Sequence, residues 1–326
     1  MELRQLKYFI AVADSGSLSR AALEVFVAQS ALSKQIAELE DELGVQLLFR
    51  GRSGVTVTEA GKTFYAYAQA VLKQLNDVKT AVRSSPKAIV GSVVLVLGQS
   101  VSGALALPLF RAARDRLPGI SLHINEELMG NMIEQLRQGR VDLMVFTPLP
   151  SHEDIVFQPF VEEELYLLRG PEAVPALPDG SDVDLGFVSK QPLVLPSIQH
   201  GFATRAVLAA ALEEHELPMK VVAEINSVSV FKSAVEAGMA STVMPYALAA
   251  HEVEAGRLRA HRIRPQKVAR TLGICYSKHI PLTHAKAAVI ELVQNLARDL
   301  CAGGEWQGAT YIGPAPSTPS ASLGSR

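Results

Sequence analysis

Cysteine is almost missing from this 326-residue chain: Cys275 and Cys301 are the only two. They stand far from any ligand-like spacing, which argues against a disulfide framework or a zinc cluster and leaves two inert thiols. An excess of either charge is missing too, with a net charge of −2 and a pI near 6.5. A global basic balance, the usual footprint of a nucleic-acid binder, is therefore not there. No apolar run follows a basic N-terminal start, and no apolar stretch is long enough to span a bilayer, so an intracellular, cytoplasmic protein without membrane contact is expected. There is no Walker loop, Rossmann fingerprint or zinc spacing. The run from Gly98 to Ser102 approaches a nucleophile elbow, but Ser102 stands where the second glycine belongs. The eight histidines scatter through the C-terminal domain without an evident partnership. An enzyme is not expected, and neither a catalytic residue, a cofactor nor a metal site is assigned.

What is there begins with bulk apolar content. Hydrophobic residues make up 48% and charged residues 20%, the balance of a globular chain with room for two or three cored domains. The N-terminal third is dominated by Ser17 to Glu42, which reads as two helices broken at Phe26 to Ala28. In the second, Leu32, Ile36, Leu39 and Leu43 form a buried stripe. Its other face carries Ser30, Ser33, Lys34 and Ala37, small or hydrogen-bonding residues able to approach a flat polar surface, as a helix in a DNA major groove must. An ordinary helical core uses the same pattern, so the flanks decide. Leu3, Leu6, Phe9, Ile10 and Ala13 give a preceding helix closed at Ser15-Gly16; Ser17 is an N-cap, and Gly44 stops the third helix. VQLLFRGRSGVTVTEAG then predicts a two-stranded wing with Arg50, Arg52 and Ser53 at its tip. Arginines beside glycines suit a phosphate backbone or minor groove; the alternative is a pair of solvated loop charges. Met1 to Thr58 carries six basic against seven acidic residues, so DNA affinity depends on placement. Gln29, Ser30, Ser33, Lys34, Gln35, Arg50 and Arg52 are the candidate contacts, with Glu38, Asp41 and Glu42 kept off the phosphates.

Thr58 and Glu59 open a long helix to about Arg83, where Phe64, Ala68, Val71, Leu75, Val78 and Val82 space as a heptad seam. Such a stripe needs a partner, either a second subunit or the chain's own body. From Ser92 the texture changes to alternating strands and helices: strands at Val93–Leu97, Ile120–Ile124, Asp142–Phe146, Glu164–Arg169, Pro192–Leu195, Val221–Ile225, Ser241–Met244 and Arg270–Tyr276, and a closing helix at Thr283–Leu300. This predicts an α/β domain with mostly parallel sheets, large enough for two lobes. Beyond Ala302, GGEWQGATYIGPAPSTPSASLGSR reads as a disordered tail.

Phe9 to Gly61, with AVADSGSLSRAA, SALSKQIAELEDELGVQLLFR and VTVTEAG at their spacing, resembles the LysR-type transcriptional regulators. Weaker echoes are LRQGRVDLMVF (Leu136–Phe146) and EAGMASTVMP (Glu236–Pro245). Along the chain the similarity leans to the nitrogen assimilation control regulators. Ser30 stands where the family usually has proline, which adds a hydroxyl and loosens the start of the recognition helix. The resemblance implies an α+β multidomain fold: a winged helix-turn-helix (1–58), a dimerisation linker helix (59–88), an effector-binding domain of two α/β lobes of periplasmic-binding-protein type (89–301) and a tail (302–326). It implies double-stranded promoter DNA and a small-molecule effector as partners, and a homodimer or homotetramer; RNA polymerase is a candidate further partner of a promoter-bound regulator. The loop Gln99–Ser102 suits a carboxylate or other small anion. Ser100, Ser102, Thr147, Phe202, Thr204 and Ser227 are the candidate effector contacts, and Arg205 a candidate charge partner. A small-molecule sensor or solute-binding protein is the alternative, because its effector half would look the same.

Overall fold

A computed structural model describes residues 1–51, 54–83, 89–126, 129–147, 153–197 and 203–315. The N-terminal unit contains α1 (Leu3–Ser15), α2 (Leu18–Glu24), α3 (Gln29–Leu43), β1 (Leu48–Gly51) and β2 (Gly54–Val57). Phe9, Val12, Ala21, Ala22, Leu32, Ile36, Leu39, Leu47 and Leu48 close its core. The turn signals work locally: Gly16 and Gly44 end α1 and α3 in the left-handed region, and the Ser17 hydroxyl accepts the Arg20 N–H at the start of α2. The antiparallel wing β1–β2 is tied to the α1–α2 corner, where the Gly16 carbonyl accepts the Val55 N–H at 2.9 Å. Gly54 has φ +121°, and a Cβ there would lie 2.8 Å from the Gly16 oxygen, so only glycine fits.

Thr58 joins wing to linker. Its hydroxyl donates to the Gln46 carbonyl and accepts the Gly61 N–H, capping α4 (Glu59–Arg83). Phe64 of α4 packs edge-to-face on Phe9, with ring centroids 5.0 Å apart. Further along α4, Ala68 of the expected seam is buried and Leu75 half-buried, while Tyr67, Val71, Val78 and Val82 are exposed. The linker also grips the C-terminal body. The Lys73 ammonium reaches Asp142 at 2.7 Å, Lys286 reaches the same carboxylate oxygen at 2.9 Å, and the other oxygen accepts the Val94 N–H.

That body is a chain of β3 (Gly91–Leu97), α5 (Gln99–Arg116), β4 (Ile120–Glu126), α6 (Met129–Arg137), β5 (Leu143–Phe146), β6 (Ile155–Arg169), α7 (Leu185–Lys190), β7 (Leu193–Leu195), α8 (Ala203–Glu214), β8 (Val221–Glu224), α9 (Val228–Glu236), β9 (Thr242–Pro245), α10 (Ala250–Glu254), β10 (Arg259–Arg262), β11 (Ala269–Ser277), α11 (His284–Ala302) and β12 (Ala309–Tyr311). Lobe I is built on β3, β4 and β5, with α5 and α11 over its main core of Leu95, Leu97, Leu105, Val145, Val289 and Val293. Lobe II is built on β7–β10, with Leu165, Leu167, Leu193, Leu208 and Val243 at its centre. The strand β6 belongs to both. Its first part pairs with β11; its end, from Leu165, pairs with β9 and β10. Among the described residues no helix is long and apolar enough to cross a membrane.

Two expectations are corrected. The sheets are mixed rather than mostly parallel: β3 pairs in parallel with β4 and β5, and β7 with β8, but every neighbour of β6 is antiparallel. The chain passes between lobes on long strands, and returning strands must run the other way. The segment following Ala302 is not a disordered tail as far as Ala315. Trp306 is buried and β12 adds to the edge of β6 opposite β11, with Tyr311 paired to Val161. The remainder of that tail lies outside the described residues.

Candidate DNA-reading surface and effector cleft

The N-terminal turns of α3 are bare where the wing meets them. Gln29, Ser30 and Lys34 are exposed; Ser33 and Gln35 are half-buried on the same helix. Arg50, on β1, donates to the Ser33 hydroxyl at 3.0 Å and to Glu40 at 3.3 Å. Two of the residues singled out from sequence thus touch, bringing helix and wing into one surface. Glu40 also holds the wing's backbone, because its other oxygen accepts the Leu47 and Leu48 N–H groups and pins the start of β1. Gln35 donates to Glu38, and Lys34 pairs loosely with Glu38 at 3.8 Å. Glu38 and Glu40 of α3 therefore restrain Lys34, Gln35 and Arg50. Arg52 lies outside the described residues.

In the C-terminal body, the ends of β3 and β5 lie side by side, with Leu97 opposite Val145. Residues that follow these strands emerge together at their C-terminal edge, the usual ligand edge of a parallel sheet. Gln99 and Ser100 open α5 there, and Thr147 follows β5. The Gln99 Oε1 and Thr147 Oγ1 atoms are buried and lack a hydrogen-bond partner, and Thr147 is 3% exposed. Such orphaned groups are costly unless something fills the site.

Ser100 and Thr204 are brought together by a residue that sequence reasoning passed over. Arg270 of β11 donates from Nη2 to Ser100 Oγ at 2.6 Å and from Nη1 to Thr204 Oγ1 at 3.3 Å. Ser100 sits on lobe I and Thr204 on α8 of lobe II, so one guanidinium spans the cleft. It is held by Glu163, its register partner on β6, whose Oε2 accepts from Nε at 2.9 Å and from Nη2 at 2.6 Å. Both side chains are nearly inaccessible. The lobes also touch at Gly103, where a Cβ would come within 2.7 Å of the Ala247 carbonyl oxygen.

The other assignments fare unevenly. Ser102 is half-buried one turn into α5. Ser227 is exposed at the start of α9, its hydroxyl 3.1 Å from Ser229 Oγ. Arg205 is buried and committed to Glu224 at 2.6 Å and the Pro196 carbonyl at 3.0 Å, so it is not a free charge for a ligand. That bond holds the Glu224 carboxyl below its ordinary value. Phe202 lies outside the described residues. The missed signal for Arg270 and Glu163 was charge inside strands otherwise rich in apolar residues, VEEELYLL and ARTLGICY. A charge at a core-facing strand position needs an opposite charge nearby. Among the described residues no cluster of three His, Cys, Asp or Glu side chains could hold a metal.

Comparison with known proteins places this architecture. Residues 3–62 match the bacterial regulatory helix-turn-helix protein, lysR family, and residues 87–298 match the LysR substrate binding domain. The nitrogen assimilation regulatory protein nac of Klebsiella aerogenes is 33% identical over 297 residues, 91% of this chain and 95% of that protein. Its counterpart of the same name from Escherichia coli (strain K12) is 31% identical over the same shares. Among solved structures, full-length CbnR complexed with its target DNA superposes with a TM-score of 0.68 at 23% identity, covering 91% of this chain and all of that one. A full-length OxyR variant from Pseudomonas aeruginosa gives 0.67 at 23%, covering 91% and 95%. With its winged helix-turn-helix, long linker helix and two-lobed effector domain, the chain belongs to the LysR family of DNA-binding transcriptional regulators.

Proposed function

We propose that the chain works in the cytoplasm, without catalysis, as a dimer or tetramer that reads double-stranded promoter DNA through the first turns of α3 and the wing. Gln29, Ser30, Ser33, Lys34 and Gln35 face base edges and phosphates, and Arg50 and Arg52 follow the backbone. The observation that carries this reading is the Arg50–Ser33 contact, which puts a permanent cation beside the exposed helix start. The likeness to CbnR, solved in complex with its target DNA, supports it, and the likeness to the nac proteins points toward genes of nitrogen assimilation. Dimerisation uses the exposed residues of α4 at Tyr67, Val71, Val78 and Val82, whose steps of four, seven and four keep them along one side of the helix.

The cleft takes a small carboxylate. Its recognition elements are the N-terminal N–H groups of α5, the hydroxyls of Ser100 and Thr147, and Thr204 with Arg270 on the far side. Because Glu163 already neutralises Arg270, selectivity for the anion rests chiefly on the helix start and the hydroxyls. A gel shift with DNA upstream of the chain's own gene tests the promoter reading: a salt-sensitive complex that outlasts competitor DNA is expected. A folded protein giving none would count against it. Isothermal titration of small mono- and dicarboxylates into the full-length protein tests the cleft, with loss of heat in Thr147→Val expected.

A further inference from the structure

The segment after α11 lies outside the matched effector domain, which ends at residue 298. Yet it holds Trp306, the sole tryptophan of the chain, at 1% exposure. The indole Nε1–H donates to Glu163 Oε1 at 2.9 Å. Glu163 sits on β6 between two strands, facing Arg270 on β11 and Ala309 on β12. The C-terminal segment is thus two hydrogen bonds away from Arg270 and three from Ser100 and Thr204, on the strands that join the lobes.

The chemistry of the carboxylate gives this contact a consequence. An arginine and a carboxylate left alone prefer a two-by-two fork, each oxygen taking one N–H. Here the indole occupies Oε1, and Arg270 puts both Nε and Nη2 on Oε2. The guanidinium is thereby turned so that Nη2 keeps a second N–H for Ser100 and Nη1 faces Thr204. Without the indole donor, Oε1 would be an unsatisfied acceptor in a dry site, and the carboxylate would gain by rotating into the fork. That rotation draws Arg270 away from one lobe or the other.

We propose that Trp306 is a positioning residue of the effector cleft: by occupying one oxygen of Glu163 it sets Arg270 as a clasp between Ser100 of lobe I and Thr204 of lobe II. The segment Gly303–Ala315 then governs how firmly the lobes close before any ligand arrives, and a ligand entering the cleft must exchange contacts with an internal cation. The functional meaning of the clasp rests on the cleft being the effector site; the clasp itself does not.

Hydrogen exchange of the full-length protein, read by mass spectrometry without DNA or ligand, tests it. Trp306→Phe keeps an aromatic ring and removes the N–H. Exchange should rise about tenfold, the scale of one lost hydrogen bond, in peptides covering Gln99–Leu105 and Thr204–Leu208. Protection of α11 and β12 should be unchanged. Loosening confined to α11 and β12, or no change at the cleft in a folded variant, would overturn the proposal. If Trp306→Phe does not fold, Arg270→Lys provides the second reading: a lysine cannot serve Glu163, Ser100 and Thr204 together, so the same two cleft peptides should loosen. Unchanged exchange there would equally refute the clasp. Cleft loosening in a protein that binds no carboxylate by titration would leave the clasp standing and remove the effector assignment instead.

Discussion

Replacing Asp142 with alanine should be among the most damaging single changes in the C-terminal body. The carboxylate is 1% exposed and carries three bonds: Lys73 at 2.7 Å, Lys286 at 2.9 Å and the Val94 N–H at 2.8 Å. Lys73 is partly exposed and can return to water, so its loss adds little. Lys286 is 5% exposed and cannot. Removing one partner of a buried ion pair costs about 3–5 kcal/mol, because the remaining charge stays uncompensated. For a domain of roughly 200 residues each kcal/mol moves Tm by about 2–4 °C, so a fall of about 10 °C is anticipated. Differential scanning calorimetry of the full chain would show it in the transition of the effector body, with that of the DNA-binding unit left in place. The double variant Asp142→Leu with Lys286→Met should recover part of the loss, since it leaves no buried charge uncompensated, although the Val94 N–H still lacks its acceptor. A fall under about 1 kcal/mol in Asp142→Ala, or no recovery in the double variant, would refute the account of a buried charge held by one acid.

Gly103→Val should part the lobes, because its Cβ would already meet the Ala247 oxygen at 2.7 Å; trypsin cleavage in the lobe-joining strands should quicken, and an unchanged digestion rate would contradict the closed contact. Glu40→Gln releases Arg50 while its amide oxygen still accepts from Leu47 and Leu48, so DNA affinity at low salt should rise severalfold; weaker binding by a variant with an intact wing would show that Glu40 positions Arg50 for DNA. Burial pushes the Cys275 thiol up to about 12 and, with Glu163 nearby, the Cys301 thiol up to about 11. Cys275 is buried and Cys301 half-buried, so iodoacetamide at pH 8 should leave Cys275 unlabelled until denaturant is added and label Cys301 only slowly, and rapid labelling of Cys275 in the native protein would contradict its burial.

Local chemistry made much of this structure legible. Gly16, Ser17, Gly44, Thr58 and Thr283 act within one turn of themselves, and each ends or opens a helix where its type requires. The stripe Leu32, Ile36, Leu39 reports burial through helical period alone. The strand β6 defeated the same approach. Only its end, Glu164–Arg169, reads as a strand, because Pro159 interrupts the pattern and three glutamates follow. In the fold Pro159 stands opposite Gly273 at an irregularity of the β6–β11 ladder, and Phe157 fills the space a Gly273 side chain would take. Pairing over more than a hundred residues decides that arrangement. The clasp is hidden for the same reason: Ser100 is legible from its place after a strand and at a helix start, and Thr204 only through the family resemblance, but Arg270, Glu163 and Trp306 matter only through one another. Trp306 was further masked by the Gly, Pro and Ser content around it, although β12 needs only three residues to find an edge.

The central claim, that the start of α3 and the wing read DNA together, meets its most direct test in fluorescence anisotropy with a promoter fragment and a scrambled control across a salt series. Arg50→Ala should weaken binding to both and lower the slope of log affinity against log salt by about one, the loss of one phosphate contact. Ser33→Ala should leave the slope alone and narrow the gap between promoter and control. Equal slopes and an undiminished gap in both variants, with the fold intact, would contradict the assignment of this surface.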